Sequence, residues 1–298
     1  MKNISKTIIF FGTDDFSLTI VQELIESGYN IAAVVTKPDN KSGRGHKIEM
    51  SETKKFAISK NINVWQPVNV SEINAKIMEL GPNIIGVLAS YGKIIPKSTI
   101  DLFKLGIINV HPSLLPIYRG PSPIESAIAN NDTQTGVSIM QLSPEMDAGP
   151  VYGYIIHKLS GTETSIILRN DLANDGASAL ISLLPGIISG SIIPAPQNNR
   201  KAVYCNLLTK DDALLRPNEI TAVQAECLVR AYLIYPKTKF TILNHSIIIT
   251  KAHVSTSQKS ITDIRCKDNN YLSIDELIAP SGRIMSGTDF INGYSVKP

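Results

Sequence analysis

Asn109 and His111 are residues whose types and spacing suggest chemistry. They stand two apart at the end of the apolar run Ile107-Ile108-Asn109-Val110-His111, so on an extended strand their side chains face the same way. The amide of Asn109 is an uncharged donor able to bind a developing oxyanion, and the imidazole of His111 can donate, accept or carry charge near neutral pH. Downstream, residues 136–149 form a strand-like run that passes into a loop and presents Asp147 beside Ala148 and Gly149. Taken singly, each signal is weak. A lone histidine at a strand end is more often structural than catalytic, and an aspartate before a small residue and glycine is usually a turn former.

The elements that must position these residues follow from hydrophobic periodicity. Short apolar runs at 7–11, 31–36, 63–65, 84–88 and 107–110 alternate with helical spacings near 17–27, 52–59 and 71–80. That alternation predicts an α/β fold, a Rossmann-like and mostly parallel sheet with helices on both faces. A helix over 121–129, strands at 137–142 and 151–159, and an amphipathic helix over 165–184 continue the pattern. Pro194, Pro196 and the polar Gln197-Asn198-Asn199 then read as a linker. Beyond it, a helix near 219–232 and short strands, including a hairpin around Asn244-His245-Ser246, predict a small OB-like β-barrel. The expected division is 1–189, a linker at 190–205, and a C-terminal domain at 206–298.

Composition narrows the function classes. Of 298 residues, 43% are hydrophobic and 18% charged, which supplies a sizeable core and excludes disorder as the main theme. The runs at 84–89 and 247–249 fall far short of a membrane span. The first residues lack the apolar core of a signal peptide, so the expectation is a cytoplasmic protein with no membrane partner. Cys205, Cys227 and Cys266 are odd in number and widely spaced, which argues against a disulfide framework and a structural metal. A net charge of +3 neither requires nor excludes a polyanion. A dinucleotide-binding reading is a weak competitor. After the first strand stands only Gly12, followed by Thr13-Asp14-Asp15, and Gly43-Arg44-Gly45 follows the second strand instead.

Read together, the motifs resemble the formyltransferases that use 10-formyltetrahydrofolate. Asn109-Val110-His111-Pro112-Ser113-Leu114-Leu115-Pro116 is similar to that family's catalytic N-x-H and S-L-L-P elements, and residues 136–149 to its signature ending in D-x-G. The resemblance implies Asn109, His111 and Asp147 as catalytic residues, with Asp147 favouring the charged imidazole and relaying a proton. It implies a folate pocket formed by Tyr91, Gly92, Ser113, Leu114, Leu115 and Pro116, with 10-formyltetrahydrofolate as formyl donor and no metal.

The loop Thr36-Lys37-Pro38-Asp39-Asn40-Lys41-Ser42-Gly43-Arg44-Gly45-His46-Lys47 resembles that of the branch acting on methionyl initiator tRNA. In that branch a glycine-flanked arginine engages the acceptor arm, so Arg44, Lys37, Lys41 and Lys47 are the expected tRNA contacts. Val229-Arg230-Ala231-Tyr232 and residues 278–287 are similar to the same branch's C-terminal segments. The resemblance thus implies formyl transfer to methionyl-tRNA by a monomer, its C-terminal domain adding tRNA surface. A nucleotide-linked amino sugar is the alternative acceptor, and it would share the trio without needing the basic finger. A hydrolase releasing formate and an inactive RNA binder are the remaining readings.

Overall fold

A computed structural model describes residues 7–42 and 47–294. The chain begins with β1 (Thr7–Phe11), α1 (Asp15–Glu26), β2 (Asn30–Val35), β3 (Asn40–Ser42), β4 (Lys47–Glu49), α2 (Glu52–Ser59) and β5 (Asn63–Trp65). It continues with α3 (Asn74–Glu79), β6 (Ile85–Leu88), α4 (Lys97–Ile100), β7 (Ile107–His111), α5 (Pro123–Ala129), β8 (Gln134–Gln141), β9 (Val151–Lys158) and α6 (Ser165–Ser189). The remaining elements are α7 (Ala222–Ala231), β10 (Lys239–Ile242), β11 (His245–Ser255), β12 (Ile264–Arg265), β13 (Tyr271–Ile278), β14 (Ile284–Met285) and α8 (Gly287–Tyr294). Two compact units result. One gathers the chain up to Pro121 with Thr135–His157 and Arg169–Tyr204, the other Ser122–Gln134, Lys158–Leu168 and the residues from Cys205 on.

In the first unit the sheet order is β5-β2-β1-β6-β7-β8-β9. β5, β2, β1, β6 and β7 pair in parallel, and β8 runs antiparallel to β7. β1 lies inside this sheet, and Ile8, Ile9, Phe10 and Phe11 are all fully buried. Ile9 and Phe11 join one apolar cluster with Tyr91, Ile95 and Phe103, while alternation turns Ile8 and Phe10 to the opposite face. Burial on both faces explains why these strands read as continuous apolar runs.

Helix boundaries follow local capping. α1 starts at Asp15, two residues before the periodicity suggests, because the Asp14 side chain accepts from Ser17 N. Ser51 caps α2 through Lys54 N in the same way. α6 runs five residues past the expected end, with Pro185 inside it. A proline there removes one helical hydrogen bond, and the burial of Leu184 and Ile187 offsets the loss. Gly190, at φ 78°, then stops the helix. By length and composition α6 could cross a membrane, but Leu172, Leu180 and Leu184 form a fully buried stripe. A Cβ at Gly176 would lie 2.7 Å from Val110 Cγ1, so this glycine lets α6 approach the strand carrying Asn109 and His111. Residues 190–204 group with this unit; Ala195 and Val151 exchange two 2.8 Å backbone hydrogen bonds.

The second unit contains the antiparallel path β10-β11-β13-β12, with β14 also on β13, curled into a half-barrel. Its core includes Leu215, Val229, Ile247, Ile249, Leu272, Leu277 and Phe290. Thr221 and Gln224 form a reciprocal capping box at the start of α7. The hairpin turn falls at Leu243-Asn244, with φ of 50° and 61°, so β11 already begins at His245. A two-residue turn with positive φ at both positions matches the twist of the strands it joins.

Candidate active site

The chain passes from β1 outward to β2 and β5, then returns to β6 and β7, so the order reverses between β1 and β6. Open α/β sheets place their ligands at the carboxyl ends of strands near such a switch point. Thr13 Oγ1 donates to Tyr91 O at 3.3 Å across it, and Ser90 Oγ donates to Asp14 Oδ2 at 2.5 Å. Arg169 pairs with the same Asp14 carboxylate. The N-terminus of α1 is therefore capped by the protein's own anion, which disfavours the dinucleotide reading: a pyrophosphate there would meet like charge.

Asn109 and His111 lie at the end of β7, in register with Met140 and Ser138 of β8. Both are buried, at 4% and 5% exposure. The Asn109 amide bonds to no other described residue and is not one of the fully enclosed polar groups without a partner, which are Tyr91 Oη, Ser165 Oγ and Ser273 Oγ. The His111 ring is held from both sides. Nε2–H donates to Tyr118 O at 3.0 Å, and Nδ1 stands 3.7 Å from Asp147 Oδ2. That separation is within ion-pair range but beyond a hydrogen bond, so Nδ1 retains capacity for a substrate atom.

Asp147 sits in the left-handed region at φ 47°, and Tyr118 at φ 59°. Such conformations cost about 1–3 kcal/mol each and persist where surrounding bonds over-determine them. Here Gly120 N donates to Asp147 Oδ2 at 2.9 Å. Gln141 N donates to Pro150 O at 2.9 Å and closes the base of the loop. A Cβ at Gly149 would come within 1.9 Å of Gln141 O, so the D-x-G glycine is required by backbone approach.

The expected folate residues divide by burial. Tyr91 is fully buried, edge-on to Phe11 at 5.7 Å, and burial pushes its phenol up to about 12. Its side chain thus belongs to the core, and its carbonyl meets Thr13. Gly92, at φ 67°, presents open backbone against Lys37, whose Nζ would lie 2.2 Å from a Cβ there. Ser113 and Leu115 are buried, and Leu114 and Pro116 are half-buried. Ser113 Oγ donates to Ile117 O at 2.6 Å, and Ser138 Oγ donates to Ser113 O at 2.6 Å. These two residues shape the loop, while Leu114 and Pro116 offer its partly open apolar surface.

Of the expected tRNA contacts, Lys37 lies beside Gly92 and lines a cavity of about 250 Å³ with Thr13, Pro38, Met50 and Ser51. Lys41 and Lys47 fall on the antiparallel ribbon of β3 and β4, where the sequence suggested a loop. Arg44 and His46 lie outside the described residues.

The family described as formyl transferase matches residues 5–184, and its C-terminal domain family matches residues 207–295. The chain belongs to the formyl transferase family. A methionyl-tRNA formyltransferase from Pseudoalteromonas translucida is 36% identical, across 97% of this chain and 94% of that protein. One from Lactobacillus delbrueckii subsp. bulgaricus is 33% identical, across 98% and 96%. Among solved structures, an N-formyltransferase from Helicobacter canadensis, in complex with folinic acid and dTDP-3-aminofucose, superposes with a TM-score of 0.68 at 18% identity, covering 90% of this chain and 98% of that one. HypX from Aquifex aeolicus, in complex with tetrahydrofolic acid, gives 0.67 at 15% identity, covering 96% of this chain and 47% of that one. At those identities the likeness concerns the fold of this formyl transferase alone.

Sequence reading missed the groups that hold the trio. Tyr118 O and Gly120 N are backbone atoms, so no residue type announces them. Arg119 and Gln197 are also drawn to this place. Gln197 sits in the Pro/Asn-rich stretch that resembles a linker, and nothing in its type or spacing separates it from its neighbours.

Proposed function

We propose that this formyl transferase moves the formyl group of 10-formyltetrahydrofolate to the α-amino group of methionyl initiator tRNA, giving formylmethionyl-tRNA for translation initiation. The observation that carries the acceptor is the match, over nearly the whole length and both domains, to proteins named methionyl-tRNA formyltransferase. The chemistry is assigned to Asn109 and His111 at the carboxyl end of β7 and to Asp147, which stands 3.7 Å from the His111 ring. The folate fits beside them, against Gly92, Leu114 and Pro116, where backbone and apolar surface remain open.

In this reaction the amine nitrogen bonds to the formyl carbon, negative charge gathers on the formyl oxygen, and the bond from that carbon to the folate nitrogen then breaks. The Asn109 amide donates to the charged oxygen, and His111 Nδ1–H provides a second donor. Each such donor is worth about 3 kcal/mol of barrier. Asp147 opposes the imidazolium charge and passes the amine proton towards the leaving nitrogen. Arg44, Lys37, Lys41 and Lys47 contact the tRNA, and the half-barrel unit binds tRNA as well. The protein acts as a cytoplasmic monomer.

The test is formyl transfer from 10-formyltetrahydrofolate to purified methionyl initiator tRNA, with His111→Ala alongside. Formylmethionyl-tRNA made by the wild type and lost in the variant supports both acceptor and catalyst. Transfer only to a nucleotide-linked amino sugar discards the tRNA and keeps the trio. No transfer to either overturns the reading.

A further inference from the structure

Asp147 is fixed at two points by one closed chain of contacts. Its carboxylate accepts from Gly120 N at 2.9 Å. Its own carbonyl accepts from Gln197 Nε2 at 2.8 Å, and the same amide nitrogen donates to Gly149 O at 2.7 Å. Gln197 Oε1 in turn accepts from Arg119 Nε at 3.0 Å and Nη2 at 2.7 Å. Arg119 is 2% exposed and is the residue that precedes Gly120. Its Nη1 donates to Tyr204 Oη at 3.0 Å, and its Nη2 also to Asn199 Oδ1 at 2.7 Å. The circuit thus runs from the Asp147 carboxylate through Gly120 and Arg119 to Gln197, and back to the Asp147 carbonyl.

We infer that Gln197 is a positioning residue for formyl transfer: its amide spans the Asp147 and Gly149 carbonyls and holds the Asp147 carboxylate beside His111. Only an amide serves, because the same head must donate to two carbonyls and accept from a guanidinium. The neighbouring backbone needs such help. Asp147 has positive φ, and without the two Nε2 hydrogen bonds its loop keeps the bond at its base and the one from Gly120 N to the carboxylate, with nothing on the Asp147 carbonyl. A displacement of about 1 Å in such a group can cost about 10²-fold in rate. The inference rests on the proposed formyl transfer, since it assigns a role within that reaction.

Gln197→Glu separates this role from a merely structural one. The variant keeps an acceptor for Arg119 but loses the donor and sets a carboxylate against two carbonyls. Gln197→Met removes both functions. kcat and KM for folate and for methionyl-tRNA are measured with the wild type alongside, together with amide hydrogen exchange over residues 143–150. The expected result is a kcat at least tenfold lower in Gln197→Glu, both KM values within twofold of wild type, and faster exchange in the Asp147 loop. Wild-type kcat in Gln197→Glu, a change confined to KM, or unaltered loop exchange would each overturn it. Absence of transfer by the wild type itself counts against the proposed function, and loop exchange still reports whether Gln197 holds the loop.

Discussion

His111 Nδ1 and Asp147 Oδ2 face each other at 3.7 Å, with side chains only 6% and 16% exposed. They are not in contact through a hydrogen bond of their own. Instead Tyr118 O holds the ring and Gly120 N holds the carboxylate, so a three-residue stretch sets the gap between imidazole and carboxylate. A partly buried pair at this distance attracts more strongly than the same pair in water, and the gap leaves room for a substrate proton.

Asp147→Asn retains an oxygen that can accept from Gly120 N but removes the charge. Its kcat for formylation of methionyl-tRNA is expected to fall by about 10²–10⁴-fold, with KM for tRNA nearly unchanged. Steady-state kinetics check this, and a wild-type kcat would remove Asp147 from the reaction.

Asn109→Ala separates catalysis from stability. The amide has no hydrogen-bond partner to lose among the described residues, and it is not one of the fully enclosed polar groups left without one, so truncation costs the fold little. Thermal unfolding is expected near the wild-type midpoint, while kcat drops by about 10²–10³-fold. A variant that is both less stable and fully active would reverse the assignment.

Arg44→Ala tests the acceptor independently of the trio. KM for methionyl-tRNA should rise while KM for folate stays put. Loss of one phosphate contact should flatten the log–log salt dependence of tRNA binding by about one unit. Unchanged tRNA binding at several salt concentrations would remove Arg44 from the interface.

Gly149→Ala forces a methyl group against Gln141 O, at 1.9 Å before relaxation. Backbone has little freedom to yield, so a loss of about 1–3 kcal/mol in unfolding free energy is expected from urea titration. The same substitution at Gly28, where a Cβ meets nothing within 4 Å but φ is 82°, serves as a comparison carrying conformational strain alone.

Glu163 gives a pH-dependent contribution to stability. Burial opposes its charge, but bonds from Ser160 Oγ and the backbone N–H groups of Ser160 and Gly161 outweigh that and hold its carboxyl at about 2. A carboxyl depressed on folding stabilises the native state above its unfolded value, and that stabilisation is lost as pH falls through the folded value. The stability deficit of Glu163→Gln should therefore be full at pH 6 and shrink as pH falls from about 4.5 towards 2. Unfolding of both proteins across that range checks it, and a deficit independent of pH would refute it.

Sequence alone determined the alternation of elements, because apolar periodicity is a local property. Glu52–Ser59 and Asn63–Trp65 emerge with the expected bounds. Asn109 and His111 could be paired from spacing on one strand, and Asp147 joined them through the surrounding motif. Tertiary structure alone decided what holds them. Gly120 N and the Gln197 amide act through hydrogen bonds 27 and 50 residues along the chain, Tyr118 O through a local one, and backbone atoms carry no residue-type signal. It also decided that Tyr91 and Leu115 turn inward while Leu114 and Pro116 keep partly open faces, because burial depends on which strands and loops are brought alongside. The residues proposed for the chemistry carry distinctive side chains. Those that place them are recognised only once the chain has folded back on itself.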